Sequence, residues 1–222
     1  MPFKKEKQVR FAYNLHTFHS PGAPARSLDT PPPSNHRLPL PAVPGPYTNP
    51  YAAFSYASVP RAHPLLDASA VNWDMMEHSS TILRNKHFLP GRALHEPATT
   101  PPLSFLSISS IHLPWVIDVY ASNGSYVSLG DVFNSIYRSL RTNITTTEFN
   151  FFPHRRDQIR ATRAYEQRYR RFRNTFGNDM EKRCGMKRID FLMNHTKFNG
   201  ITKTGHHAEE WQLNVLPHAT QA

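Results

Sequence analysis

Leu103-Ser104-Phe105-Leu106-Ser107-Ile108-Ser109 and Trp115-Val116-Ile117-Asp118-Val119-Tyr120, followed by Asn123-Gly124 and then Ser128-Leu129-Gly130-Asp131-Val132-Phe133, set strands and a helix side by side in one short stretch. In the first run Phe105 and Ser107 alternate with Leu106 and Ile108, the period of a strand with two unlike faces. The second run is a second strand. Asn123-Gly124 then predicts a hairpin turn into Tyr126-Val127, because both residues tolerate the left-handed backbone such a turn needs. Ser128 opens a helix: its hydroxyl can cap a free amide, and Asp131 three residues on completes a capping-box-like pair. Val132, Phe133, Ile136 and Leu140 recur on one face, which carries the helix to about Arg141.

On the C-terminal side, a second helix is predicted from about Arg156 to Arg173, where Thr162, Tyr165, Tyr169 and Phe172 recur at three-and-four spacing. Gly177 ends it or follows shortly. A short turn around Asp190-Phe191-Leu192 and a strand near Phe198 to Ile201 come next. The last strand is Glu210 to Leu216, with Trp211, Leu213 and Val215 on one face. On the N-terminal side, Val71-Asn72-Trp73-Asp74 reads as a short strand. The order of elements predicts an α+β fold, a small antiparallel or mixed sheet with two main helices packed on one side. Trp115, Phe133, Tyr165, Phe191 and Trp211 are the expected shared core.

Proline sets the domain boundary. Of 20 prolines, twelve lie within the first 60 residues, including Pro31-Pro32-Pro33 and Pro44-Gly45-Pro46, and that density removes the backbone donors a helix or central strand requires. Residues 1–62 are therefore expected to be a disordered proline-rich arm, 63–216 one domain and 217–222 a tail. A single cysteine, Cys184, excludes an intramolecular disulfide framework and a zinc site built on several thiolates. No apolar run is long enough to span a bilayer, and no apolar signal follows Lys4-Lys5-Glu6-Lys7, so an intracellular protein of the cytoplasm or nucleus is expected, not a secreted one.

Glu96-Pro97-Ala98-Thr99, Pro114-Trp115 with its strand, Gly130-Asp131-Val132, Arg188-Ile189-Asp190-Phe191-Leu192, Phe198-x-Gly200 and the Trp211-x-Leu213 ending stand in this order along residues 63–216. That series resembles the fungal family of unknown function DUF6699. The resemblance implies one domain and carries no catalytic, cofactor or metal-binding residues to transfer.

The residues themselves assemble no catalytic motif. None of the thirteen histidines lies four residues from another with a glutamate between, and no phosphate-binding glycine loop or nucleophile elbow occurs. Asp190, ahead of two apolar residues, reads as a group that satisfies backbone amides. No cofactor and no metal is expected; an enzyme whose groups converge only in space is the third alternative.

Two features point to binding instead. Arg155 to Arg188 holds twelve Lys/Arg against four Asp/Glu, most of the chain's net +10. On the second helix Arg160, Arg163, Arg168, Arg170 and Arg171 are expected opposite the aromatic face, an anion-binding surface for nucleic acid, lipid headgroups or acidic protein. The alternative is a solvated face, relieved by Glu166 four residues before Arg170, with the stacking aromatics spent in the core. The second feature is Lys7-Gln8-Val9-Arg10-Phe11. Val9 and Phe11, two apart, fall on one side of an extended segment to fill pockets while Lys4, Lys5 and Lys7 meet an acidic surround, and the pattern resembles the docking motif by which regulatory subunits bind the type-1 protein phosphatase catalytic subunit. The expected function is a non-catalytic interaction module using that motif, with nucleic-acid binding by the arginine-rich helix as the alternative.

Overall fold

The computed structural model describes residues 59–152, 154–171, 175–205 and 207–218. The docking motif and the arm that precedes Val59 lie outside them, as do Phe172 and Arg173. In chain order the elements are β1 (Arg61–Ala62), β2 (Leu83–Arg84), β3 (His87–Phe88), β4 (Thr99–Thr100), β5 (Phe105–Ser110), β6 (Leu113–Tyr120), α1 (Leu129–Leu140), α2 (Thr146–Phe149), α3 (Arg155–Arg170), α4 (Thr175–Arg183), β7 (Lys197–Lys203) and β8 (Glu210–Leu216), with short 3-10 turns such as Arg188–Leu192 between them.

The fold is α+β. Its centre is a four-stranded sheet in the order β6-β5-β8-β7. β5 pairs antiparallel with β6, β7 antiparallel with β8, and β5 parallel with β8, so the sheet is mixed. The alternation read in the sequence sets its two faces: Leu106 and Ile108, Ile117 and Val119, and Trp211 and Leu213 are buried on one, while Val116, Asp118 and Tyr120 are exposed on the other. Against the buried face lies α1, contributing Leu129, Val132, Phe133, Ile136 and Leu140 to the same cluster. The helix starts as its sequence dictates. Ser128 Oγ accepts from the Asp131 amide at 3.1 Å, and the Asp131 carboxylate accepts from the Ser128 amide at 2.9 Å.

A second, smaller cluster of Ile144, Tyr165, Met186 and Phe191 carries α3. Phe191 meets Trp115 of β6 edge-on at 4.8 Å, which links this cluster to the sheet. The expected single core is thus two: Phe133 and Trp211 belong to the first, Tyr165 and Phe191 to the second, and Trp115 is only half-buried beside it.

Other expectations shift for local reasons. Asn123-Gly124 does turn the chain, with Gly124 at φ 74° and Asn123 Oδ1 accepting from the Ser125 and Tyr126 amides, but it hands β6 to α1 and forms no hairpin. The hairpin turn is Ile111-His112, between β5 and β6. Val71 to Asp74 forms only isolated bridges, Asn72 to Leu83 and Asp74 to Lys197. Gly177 ends no helix: it lies inside α4, which the sequence reading missed along with α2. Thr145 caps α2 through a box with Glu148, a signal present in the sequence but too short in reach to stand out.

Candidate functional site

The arginines of α3 divide into an outer set and an inner one. Arg155, Arg156, Arg160, Arg163 and Arg170 are exposed, as is Arg171 at its C-cap, whereas Ala161, Ala164, Tyr165 and Arg168 are buried. Arg168 is 2% exposed, which corrects its expected place on the outer face. The reason is angular: three residues after Tyr165, it stands only about 60° round the helix from that buried ring.

Inside, Arg168 is fully used. Its Nε donates to Asp190 Oδ1 at 2.8 Å and its Nη2 to Asp190 Oδ2 at 2.9 Å, a fork matched to a carboxylate, and Nη2 also reaches the Gly185 carbonyl at 2.9 Å. Nη1 donates to Glu181. Asp190 Oδ2 also accepts from the Lys187 amide at 2.8 Å, the backbone role read for it in the sequence. Glu181 gathers further cations: Lys187 Nζ at 2.9 Å and Arg141 Nη1 at 3.5 Å. Burial pushes the Asp190 carboxyl up. For Arg168 burial works the other way, and the hydrogen bonds and charges of Asp190 and Glu181 outweigh it and keep the guanidinium protonated. Burial likewise opposes ionised Glu181, but Lys187, Arg168 and Arg141 together hold it below the usual carboxylate range. This network ties α3 and α4 to the 3-10 turn at Arg188–Leu192 and is built for structure: both oxygens of Asp190 are occupied.

The outer set has weaker company. Arg160 lies 3.8 Å from Asp157 and Arg170 3.7 Å from Glu166, both on the same helix. Arg171 is drawn off to Asp74 at 3.3 Å and Glu77 at 3.8 Å. Among the described residues Arg156 and Arg163 form no ion pair. Arg156, Arg160, Arg163 and Arg170, spaced four, three and seven apart, therefore make one exposed stripe down α3. No three His, Cys, Asp or Glu side chains come together as a metal cage among the described residues.

The described fold holds the six segments that carried the family resemblance, from Glu96-Pro97-Ala98-Thr99 to Trp211-x-Leu213. The sequence model of the Family of unknown function (DUF6699) matches residues 71–209. The chain belongs to this family. Comparison with curated proteins and with solved structures gives no match. The match stops just before β8, yet in this DUF6699 chain β8 lies inside the sheet, between β5 and β7. Several family segments have structural explanations. Asp190 satisfies Lys187 and Arg168, and Gly130-Asp131-Val132 is the first turn of α1. Gly200 stands at φ 85° where β7 bulges, and a Cβ there would come within 2.6 Å of the Leu66 carbonyl oxygen. Glu181, Lys187 and Arg141, the rest of the charged network, carry no signal in the sequence because they meet only across the fold. No described helix is long and apolar enough to cross a membrane.

Proposed function

We propose that this protein is a non-catalytic interaction module, working inside the cell, that binds phosphate-bearing polymers along the outer stripe of α3. The folded unit is taken to run to residue 216 from just before β1, two residues ahead of the boundary expected at residue 63, because Arg61 and Ala62 pair with β4; residues 217–222 are the tail. What supports the reading is the sorting of the arginines: Arg168 is neutralised internally, while Arg156, Arg160, Arg163 and Arg170 stay in solvent, with an intrahelical carboxylate at Arg160 and at Arg170 and the Tyr169 ring also under Arg170. Such exposed pairs are worth little, so a phosphate oxygen displaces them readily. Guanidinium forks spaced along one line suit a charged backbone. Oligonucleotide binding at low salt tests it. Affinity should fall steeply with added salt, and changing Arg156, Arg160, Arg163 and Arg170 to Gln should flatten that slope while the fold persists. Salt-independent binding, or none at low salt, would leave the stripe a solvated face.

A second contact is proposed for the arm. Lys7, Val9 and Phe11 form a docking motif for the type-1 phosphatase catalytic subunit, supported by the two-residue spacing that puts both apolar anchors on one side of an extended strand. Calorimetry on a peptide spanning Lys4 to Asn14 decides this: changing Val9 and Phe11 together to Ala should abolish binding, and changing Gln8 should not.

A further inference from the structure

Arg160 belongs to the stripe and also lines a cleft of about 400 Å3 that runs off it. The walls come from four places in the chain: the turn between β5 and β6, the segment after α2, the first turns of α3 and the 3-10 turn at Arg188–Leu192. Deep in it, Phe152 lies flat on Phe191, with ring centres 4.1 Å apart and planes 21° from parallel. Phe151, which lines the cleft together with Arg160, is 65% exposed, a phenyl ring left in water.

Polar groups complete the cleft. His112 stacks on His195 at 4.7 Å and 19°, and His195 Nδ1 is 2.9 Å from the Leu192 carbonyl oxygen, which makes that nitrogen the donor. Burial first, then the charges of His195 and Arg160, lower the His112 pKa and keep the ring neutral, able both to donate and to accept. Asp157, also in the wall, adds a carboxylate acceptor. A carboxylate there works against a bare phosphate in the cleft and favours a ligand that brings its own N–H donors. Met193, another wall residue, and Asn194 after it are both left-handed, at φ 48° and 73°, a costly backbone for two non-glycine residues in succession.

A planar group with N–H donors and acceptors on its edge, a face to stack and phosphates on either side is a nucleotide within a strand. We propose that this cleft seats one unstacked base of a single-stranded nucleic acid, stacked on Phe151 and edged by His112 and Asp157, while the flanking phosphates lie on Arg160 and Arg163. A base already paired and stacked in a duplex presents no free face, so single strands are selected. An exposed aromatic platform at the start of the stripe is thus supplied by the preceding segment. The proposal rests on the polyanion reading of the stripe and adds the base to it.

Anisotropy with full-length protein and three labelled probes of equal length separates the two: a mixed-sequence single strand, its duplex, and an abasic phosphodiester strand. The single strand should bind about fivefold or more tightly than the abasic strand, the range expected for one stacked base. Phe151→Ala should remove that advantage and leave abasic binding unchanged; because Phe151 is exposed, the variant's melting temperature should match the wild type, and His112→Ala should act in the same direction. A 2-aminopurine placed in the strand should be quenched on binding to the wild type and not to Phe151→Ala. Equal affinity for single and abasic strands, or a preference that survives Phe151→Ala, overturns the base site and leaves the stripe standing. Failure of all three probes to bind overturns both.

Discussion

Arg168 and Asp190 show what one buried side chain can cost or contribute. Each is 2% exposed, so each depends on the other to offset desolvation, helped by the Lys187 amide at Asp190 and by Glu181 and the Gly185 carbonyl at Arg168. Arg168→Gln should destabilise the protein by about 3–5 kcal/mol, since it leaves Asp190 charged and unpaired; chemical denaturation reads this directly. The double variant with Asp190→Asn should lose less than the two single losses together, because their ion pair is counted in both. Acid should act through Glu181 and Asp131. Both carboxyls are held below their usual range against the pull of burial, Glu181 by Lys187, Arg168 and Arg141, Asp131 by hydrogen bonds from Ser128 and Ser122. Their stabilisation is complete above the unfolded value near pH 4 and is lost as pH falls through the lowered folded values, whereas Asp190, pushed up by burial, runs in the opposite sense. Glu181→Gln should therefore flatten the loss of stability that sets in as pH falls below about 5 and continues through the lowered folded value. Gly200→Ala meets the Leu66 carbonyl and keeps a left-handed φ of 85°. A cost of about 1–3 kcal/mol for the backbone alone is expected, before any clash, and a melting temperature equal to wild type would show that β7 can relax there.

Among the elements, β8 and α3 respond to substitution in opposite ways. β8 is an inner strand whose Trp211 is 2% exposed in the main cluster and donates from its indole N–H to the Ala208 carbonyl. Trp211→Ala should cost about 3–5 kcal/mol, and a cooperatively melting variant with an unchanged midpoint would show that the strand contributes little. α3 buries small and aromatic residues at Ala161, Ala164 and Tyr165 and carries most of its arginines outward, so Arg156→Gln and Arg163→Gln should leave the melting temperature where it is. A helix whose outer stripe can change without loss of fold is free to be shaped by what it touches.

At the scale of the molecule, the residues where the described chain begins matter. Arg61 and Ala62 pair with Thr100 and Thr99, and the His63 amide donates to the Ala98 carbonyl at 2.8 Å. A chain starting at Val59 should melt with the full-length protein, while one starting at His63 should melt lower, because β4 loses its partner; equal melting of the two would make that pairing dispensable. What could be read from the sequence was what is settled within a few residues. Ser128 and Asp131 announce α1 because a capping box closes over three residues, and the period of two in β5, β6 and β8 follows from the geometry of an extended chain with one wet face. The arginine-rich helix was legible for the same reason. Tertiary structure alone decided the rest. It put β5 parallel to β8, whose partners lie about a hundred residues apart and leave no local trace. It covered Arg168: the helical wheel sets that residue near Tyr165 and Arg163 nearly opposite, but only the fold brings the turn bearing Asp190 over the Arg168 side. And it brought Phe151, His112 and Arg160 to line one cleft, a meeting that depends on where the chain returns and not on what precedes or follows each residue.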